Sequence, residues 1–162
     1  MAKAREIPGL SAEDSYAAAA AKIVTVRVQE LSDHSAGVLD VGEIERLHDM
    51  RVATRRLRAT LEVFGPCFPR KRLKQHLSQV KELADALGER RDCDVAIASL
   101  EQLSERMAAS DRVGIESLIG RLRDEQREAN ERLAGFVEES RVRAMCDRLH
   151  ELADSTRERE DR

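Results

Sequence analysis

The chain has 162 residues, of which 36% are charged and 2% are aromatic, and its formal net charge is −3. Its length supports a single domain whose core needs neither metals nor disulfides, and the slightly negative total charge excludes a generic nucleic-acid binder. Ala, Leu, Arg and Glu dominate and no run alternates apolar with polar residues, which predicts an all-α fold, an antiparallel bundle of about six helices.

The first segment, residues 1–10, is predicted to be a flexible arm that ends at Pro8 and Gly9. Ser11 to Asp14 then offers a helix N-cap followed by an acid, and an apolar stripe from Ala17 to Leu31 predicts a first helix. The short connection at 37–42 makes this helix and the next one antiparallel neighbours. The bundle is predicted to span residues 11–155 and to end in a frayed, charged tail at 156–162.

A second helix is predicted over residues 43–64, and it combines a core-facing seam with concentrated positive charge. The seam residues recur at steps of three and four: Leu47, Met50, Thr54, Leu57, Leu61 and Phe64. His48, Arg51, Arg55 and Arg58 fall within an arc of about 80° beside this seam. The row is either a solvated face whose stems shield the core or an anion site, for which the planar, permanently charged Arg fork is well suited.

A third predicted helix, residues 70–87, repeats this design after the rigid turn at Pro66 to Pro69. Its seam contains Leu73, Leu77 and Val80, and a second stripe contains Arg70, Lys74 and Lys81. Residues 46–91 carry 12 Lys and Arg but 5 Asp and Glu. Two helices joined by a tight turn can place both basic rows along one groove, which favours the anion site.

Residues 88–92 are predicted to form a tight corner between helices, with Gly88 as the C′ residue and Asp92 as the next N-cap. An ion pair between Arg91 and Asp92 could also fix the corner, although such a pair has small energetic value. Three further helices are expected, the first over about 93–108, the second after a break near Ser110, and the third in the last part of the bundle.

The three cysteines, Cys67, Cys93 and Cys146, are odd in number and widely spaced, which argues against a disulfide framework and against a zinc site. We expect reduced, structural thiols. The N-terminus lacks the apolar segment of a signal peptide, and no run approaches the length of a transmembrane helix. These features predict a soluble, cytoplasmic protein.

The segment HDMRVATRRLRATLEVF at 48–64, followed by LGERRDCDV at 87–95, resembles the conserved-histidine α-helical domain (CHAD) family. The family pattern is a histidine, an arginine three residues later, an Arg-Arg-Leu-Arg cluster, a second basic helix and an Arg-Asp-x-Asp corner. His48 and Arg51 match the first two positions. The remaining positions are matched by Arg55, Arg56, Arg58, Lys74, Lys81, Arg91, Asp92 and Asp94, and the similarity covers about residues 12–155.

The resemblance implies a non-catalytic module, without cofactor or metal, that binds inorganic polyphosphate in a basic groove. This function predicts targeting to polyphosphate granules. The binding residues implied by the resemblance are His48, Arg51, Arg55, Arg56, Arg58, Lys74, Lys81 and Arg91, and the stripe of the third helix adds Arg70. Because aromatic residues that could stack on bases are nearly absent, nucleic acid is an unlikely partner. The usual domain of the family has two similar helical halves, and no second histidine–arginine helix occurs here. We therefore expect a homodimer in which a second copy replaces the other half.

Two alternatives remain open at the level of the sequence. His48 and Asp49 form a doublet that ligates metal in some phosphohydrolases, but His34, His76 and His150 lie on separate predicted helices without ligand spacing. The other alternative is a helical scaffold that holds a protein partner through its mixed-charge helices.

Overall fold

The structure, a computed structural model, describes residues 3–160, with side chains up to Thr156. In this range the chain forms five α-helices and no strand, which confirms the all-α class with one helix fewer than expected. The helices are α1 (Tyr16–Asp33), α2 (Ile44–Val63), α3 (Arg70–Glu105), α4 (Ala109–Val137) and α5 (Glu139–Glu160). A 3₁₀ turn, Gly65–Cys67, joins α2 to α3.

The core lies where α1, α2, α5, the first half of α3 and the end of α4 meet. α1 packs against α2 and α5, α2 packs against α3, and α3 packs against α4. The predicted seam residues Leu47, Met50, Leu57 and Leu61 are fully buried, as are Leu31, Leu87, Leu133 and Leu149 from the other helices. Burying a leucine side chain contributes roughly 1.5–3 kcal/mol, so these contacts supply much of the driving force for folding.

Helix α3 continues through the predicted corner at 88–92, so that prediction is wrong. α3 is 36 residues long, and Gly88 and Asp92 lie inside it. Its buried side repeats at steps of three and four through Val80, Leu83, Leu87, Arg90, Asp94 and Ile97. This continuous seam packs against α4 and outweighs the roughly 1 kcal/mol that a glycine costs within a helix.

Replacing Gly88 by alanine should stabilise the protein by about 0.5–1 kcal/mol. Gly88 is in the α3 interior, and a Cβ atom built there meets nothing within 4 Å, so alanine removes backbone freedom of the unfolded chain without a clash. Urea unfolding followed by circular dichroism measures the change. Gly37→Ala is the matched control and should destabilise, because Gly37 has φ 71° and its Cβ would lie 2.9 Å from Nη1 of Arg46. A loss of stability in Gly88→Ala would contradict a continuous α3.

The two ends of the chain differ in detail from the sequence-based boundaries. Helix α1 is capped by Ser15, whose hydroxyl accepts a hydrogen bond from the Ala18 amide, whereas Ser11 and Asp14 bond each other in the preceding turn. Residues 3–10 of the predicted arm lie outside the helices, and the Arg5 amide donates to Glu30 on α1. α5 reaches Glu160, so residues 156–160 of the predicted tail are helical. Residues 1–2 and 161–162 lie outside the described residues.

The second half of α3 and the first half of α4 extend past the other helices as a two-helix projection, which we call the distal hairpin (residues 94–126). α2 has 20 residues and α3 has 36, so α2 covers about 30 Å of an α3 that is about 54 Å long. α4 packs beside this part of α3, where Gln126 contacts Asp94 and Arg123 pairs with Glu101. The distal hairpin accordingly leaves Val95, Leu103, Val113 and Leu118 exposed.

Candidate functional site

Helix α2 presents its basic row on the side that faces away from α1. Arg56 identifies the α1 side, because its charge acts on Glu30, a buried residue of α1. Arg51 and Arg58 lie about 140–160° around α2 from Arg56, and both are half-buried. Since α2 packs between α1 and α3, these two arginines lie on the α3 side.

Arg55 and His48 complete the α2 row toward solvent. Arg55 is exposed and His48 is half-buried. They are seven residues apart, so they lie along nearly the same line of the helix, about 10 Å from each other along the axis. Arg58 is partly neutralised, because its Nε donates to Oε1 of Glu62 at 2.9 Å. The α2 row therefore keeps a net positive charge along its length.

Helix α3 presents its own row beside the side chains that pack toward α2. Leu77 packs against the core and Ala84 is half-buried, and Lys81 lies within about 60° of both around the helix axis. Arg70 and Lys74 lie on the same edge, and all three cations are exposed. Glu89 lies about 80° farther around α3 from Lys81, in the direction away from Leu77 and Ala84, and its carboxylate pairs with Arg132 of α4. The row is thus on the α2 edge of α3.

The two rows lie on neighbouring antiparallel helices. We call the surface between them the α2–α3 groove, with Arg51, Arg55 and Arg58 on one side and Arg70, Lys74 and Lys81 on the other. Residues 64–69 turn the chain back, and a Cβ on Gly65 would meet Leu73 at 3.4 Å. In such an antiparallel pair Arg58 lies at about the height of Lys74, and Arg51 at about the height of Lys81. Helical periodicity therefore places six cations along the facing edges of α2 and α3.

Two residues implied by the family resemblance lie apart from this path. Arg56 is on the α1 side, where burial favours a raised pKa for Glu30 but the Arg5 amide, Arg27 and the charge of Arg56 lower that pKa below its usual value. Arg91 is half-buried in mid-helix, ten residues and about 15 Å beyond Lys81 along α3. Arg56 therefore lies outside the α2–α3 groove, and Arg91 lies beyond the end of the α3 row.

The sequence profile described as "CHAD domain" matches residues 22–162. The chain belongs to the CHAD family. The match includes α2, α3 and therefore both basic rows. CHAD domains are associated with polyphosphate-related proteins. No curated protein and no solved structure gave a significant match to the chain.

This CHAD domain has a buried ion pair in α3, and its residues differ from those of the pair considered in the sequence analysis. Arg90 is fully buried and pairs with Asp94, which is 3% exposed. Oδ1 of Asp94 also accepts from Nε2 of Gln126 on α4 at 2.6 Å. The ion pair therefore involves Arg90 rather than Arg91, and Asp92 is exposed. The signal in the sequence was the i,i+4 spacing of opposite charges on the continuing seam of α3.

We also searched the described residues of this CHAD domain for a metal site, a membrane-spanning helix, a disulfide and a reactive cysteine. Within that part, no group of three or more His, Cys, Asp or Glu side chains is arranged to hold a metal ion. None of the described helices is both long and apolar enough to cross a membrane. Cys67, Cys93 and Cys146 form no disulfide among the described residues. Burial raises the pKa of Cys146 to about 11 and also raises the pKa of Cys93, which disfavours the reactive thiolate form of both.

Proposed function

We propose that this CHAD domain binds inorganic polyphosphate along the α2–α3 groove without catalysing a reaction. The proposal is supported by the six cations that helical periodicity places on the facing edges of α2 and α3. Successive cations of one row are one or two helical turns apart, so a flexible chain of phosphates can follow them. Arg contributes paired hydrogen bonds to phosphate oxygens, and Lys contributes compact point charges. His48 and Arg91 would extend the path at the α2 N-terminal end.

The chemistry of the groove favours a bare phosphate chain over single-stranded nucleic acid. Binding of single strands generally uses aromatic side chains on which bases stack. The aromatic residues of this region are directed elsewhere: Phe68 is buried, and the rings of Tyr16 and Phe64 pack on each other at 4.9 Å. The described groove residues thus offer charge without a stacking platform.

A salt series with long-chain polyphosphate tests the function. By analogy with single-stranded nucleic acid, release of counterions by six contacts gives a slope of about −4 in a plot of log affinity against log salt. Fluorescence anisotropy of end-labelled polyphosphate measures the affinity. Unlabelled polyphosphate and an unlabelled oligonucleotide of equal charge are the two competitors, and we expect polyphosphate to displace the probe far better than the oligonucleotide. No binding at low salt would favour the alternative function, a helical scaffold for a protein partner.

The proposal includes a homodimer that joins two α2–α3 grooves. Support comes from apolar surface near the N-terminal end of α2. Val41 is 48% exposed and, with Ile44 and Ile97, lines a cavity of about 390 Å³. Val95, next in sequence to Asp94 of the same cavity, is also 48% exposed. A two-fold axis through this surface would cover it with the same surface of a second copy.

Light scattering should therefore give twice the chain mass of 18.2 kDa for the purified protein. Val95→Lys should return the mass to one chain, because it places a charge in the contact. Val113→Lys is the matched control, since Val113 is 69% exposed on α4 and lies outside this surface. A single-chain mass for the unmodified protein at the concentrations used for binding would refute the dimer but not the groove.

The proposed location is the cytoplasm, at polyphosphate granules. A fluorescent fusion should concentrate at stained granules and lose this pattern when the groove arginines are reversed. The same fusion, together with an assay of polyphosphate length, distinguishes the two alternative functions. A scaffold would keep its location after reversal of the groove, and a metal-dependent phosphohydrolase would shorten polyphosphate in the presence of divalent metal.

A further inference from the structure

A second concave surface lies on the side of α3 that faces away from the α2–α3 groove. It is a cavity of about 400 Å³ where α3 meets the end of α4 and the first turns of α5. Its floor is apolar and is formed by Leu83, Phe136 and Met145. This volume and this kind of floor fit a small organic molecule better than an inorganic chain.

The rim of this cavity carries two arginines of α5. Arg141 and Arg148 are seven residues apart, so they project from the same side of the helix about 10 Å apart along its axis. Nη1 of Arg141 donates to the Gly135 carbonyl, which holds the side chain at the rim. Arg148 forms no hydrogen bond or ion pair with any described residue. Glu82 is the acid at the rim, and its carboxylate accepts from Ser78 at 3.0 Å.

A buried histidine, His76, lies next to a residue that lines the cavity, and its pKa responds to the charges around the cavity. His76 is 5% exposed, its Nδ1 atom has no partner among the described residues, and it interacts with Gln79, which lines the cavity. Burial lowers the pKa of His76, and the positive charges of Arg72 and Arg148 lower it further, against the opposite effects of Gln79 and Glu151. The positive charge of Arg148 at the rim of the cavity therefore acts on His76.

We propose that the cavity is a second binding site, for an organic anion whose phosphate or carboxylate contacts Arg148 while one apolar ring system rests on Leu83, Phe136 and Met145. Polyphosphate has no apolar part and would gain nothing from this floor. The site is thus independent of the α2–α3 groove, and its ligand class is different.

Calorimetric titration with 1-naphthyl phosphate tests the proposal. We expect saturable binding to the unmodified protein that inorganic phosphate at the same concentration does not displace. Arg148→Ala should weaken it by at least about tenfold, the value of one charge-assisted contact. Arg143→Ala is the matched control, because Arg143 is on the same helix, is exposed, and pairs with Glu139 instead of lining the cavity. Equal affinity in Arg148→Ala, or no binding to the unmodified protein, would overturn the proposal.

Two further measurements distinguish a ligand contact of Arg148 from a purely structural role. The imidazole signal of His76 should titrate at a higher pH when 1-naphthyl phosphate is bound, because the bound anion offsets the charge of Arg148. A merely structural effect of Arg148 would not produce this ligand-dependent shift. The variant with Arg51, Arg55 and Arg58 reversed should bind 1-naphthyl phosphate normally, so failure at one site is distinguishable from failure at the other.

Discussion

Replacing Asp94 by alanine should lower the free energy of unfolding by about 3–5 kcal/mol, the usual cost of removing one partner of a buried ion pair. Arg90 is fully buried beside Asp94, and its charge cannot be neutralised by loss of a proton. Without the carboxylate, the guanidinium would remain in the α3–α4 interface with no counter-charge. In a domain of ordinary stability, about 5–15 kcal/mol, this is a large share of the total.

The pair as a whole should contribute far less than this loss suggests. Nε and Nη2 of Arg90 and Oδ2 of Asp94 have no partner among the described residues, so the desolvation of both charges is only partly offset. The double variant Arg90→Met, Asp94→Leu should therefore be about as stable as the unmodified protein or more stable. A cycle of the two single variants and the double variant measures the coupling between the two side chains.

Urea unfolding followed by circular dichroism gives the free energies for this cycle. Gln126→Ala should cost about 1–2 kcal/mol, because it removes one hydrogen bond to the buried carboxylate. Glu139→Ala is the control for an exposed pair of the same spacing, with Arg143, and should change stability by less than about 0.5 kcal/mol. A loss below about 1 kcal/mol in Asp94→Ala would show that Arg90 finds solvent or another partner.

The continuity of α3 illustrates which part of the fold could not be predicted from local sequence. Gly88 and Asp92 are residues that commonly end and begin helices, and the local signal favoured a corner. The seam of α3 passes through the same segment, but two of its positions carry Arg90 and Asp94. The apolar periodicity that would have indicated a continuous helix is therefore interrupted there. Packing against α4 decides the outcome, and that contact joins residues distant in sequence.

In the candidate site, too, one part could be predicted from local sequence and another depends on how the helices pack. The positions of Arg51, Arg55 and Arg58 beside the α2 seam follow from helical periodicity, so the row could be predicted. The side occupied by each neighbouring helix could not, because it depends on how α1 and α3 pack against α2. Arg56 was grouped with the others through the family resemblance, and the position of Glu30 on α1 places it on the opposite side of α2.

Reversing Arg51, Arg55 and Arg58 to glutamate should weaken polyphosphate binding by at least about a thousandfold. Each arginine is expected to contribute a charge-assisted contact of about 1.5 kcal/mol or more, and each glutamate adds repulsion of the phosphates. The slope of log affinity against log salt should also fall by about 2, since three of the six counterion-releasing contacts are lost. Anisotropy with labelled polyphosphate measures both quantities, and circular dichroism verifies that the variant is folded.

The control for this variant must change the net charge equally at another place. Arg106, Arg121 and Arg143 are exposed and lie away from the α2–α3 groove, the first two within the distal hairpin and the third on α5. Their reversal to glutamate should weaken binding only through the long-range field, which salt screens beyond about 10 Å. If both triple variants lose affinity equally, net charge rather than the groove governs binding. If the groove variant keeps tight binding, polyphosphate contacts another surface, and the aligned cations of α2 and α3 are a solvated face that covers the core.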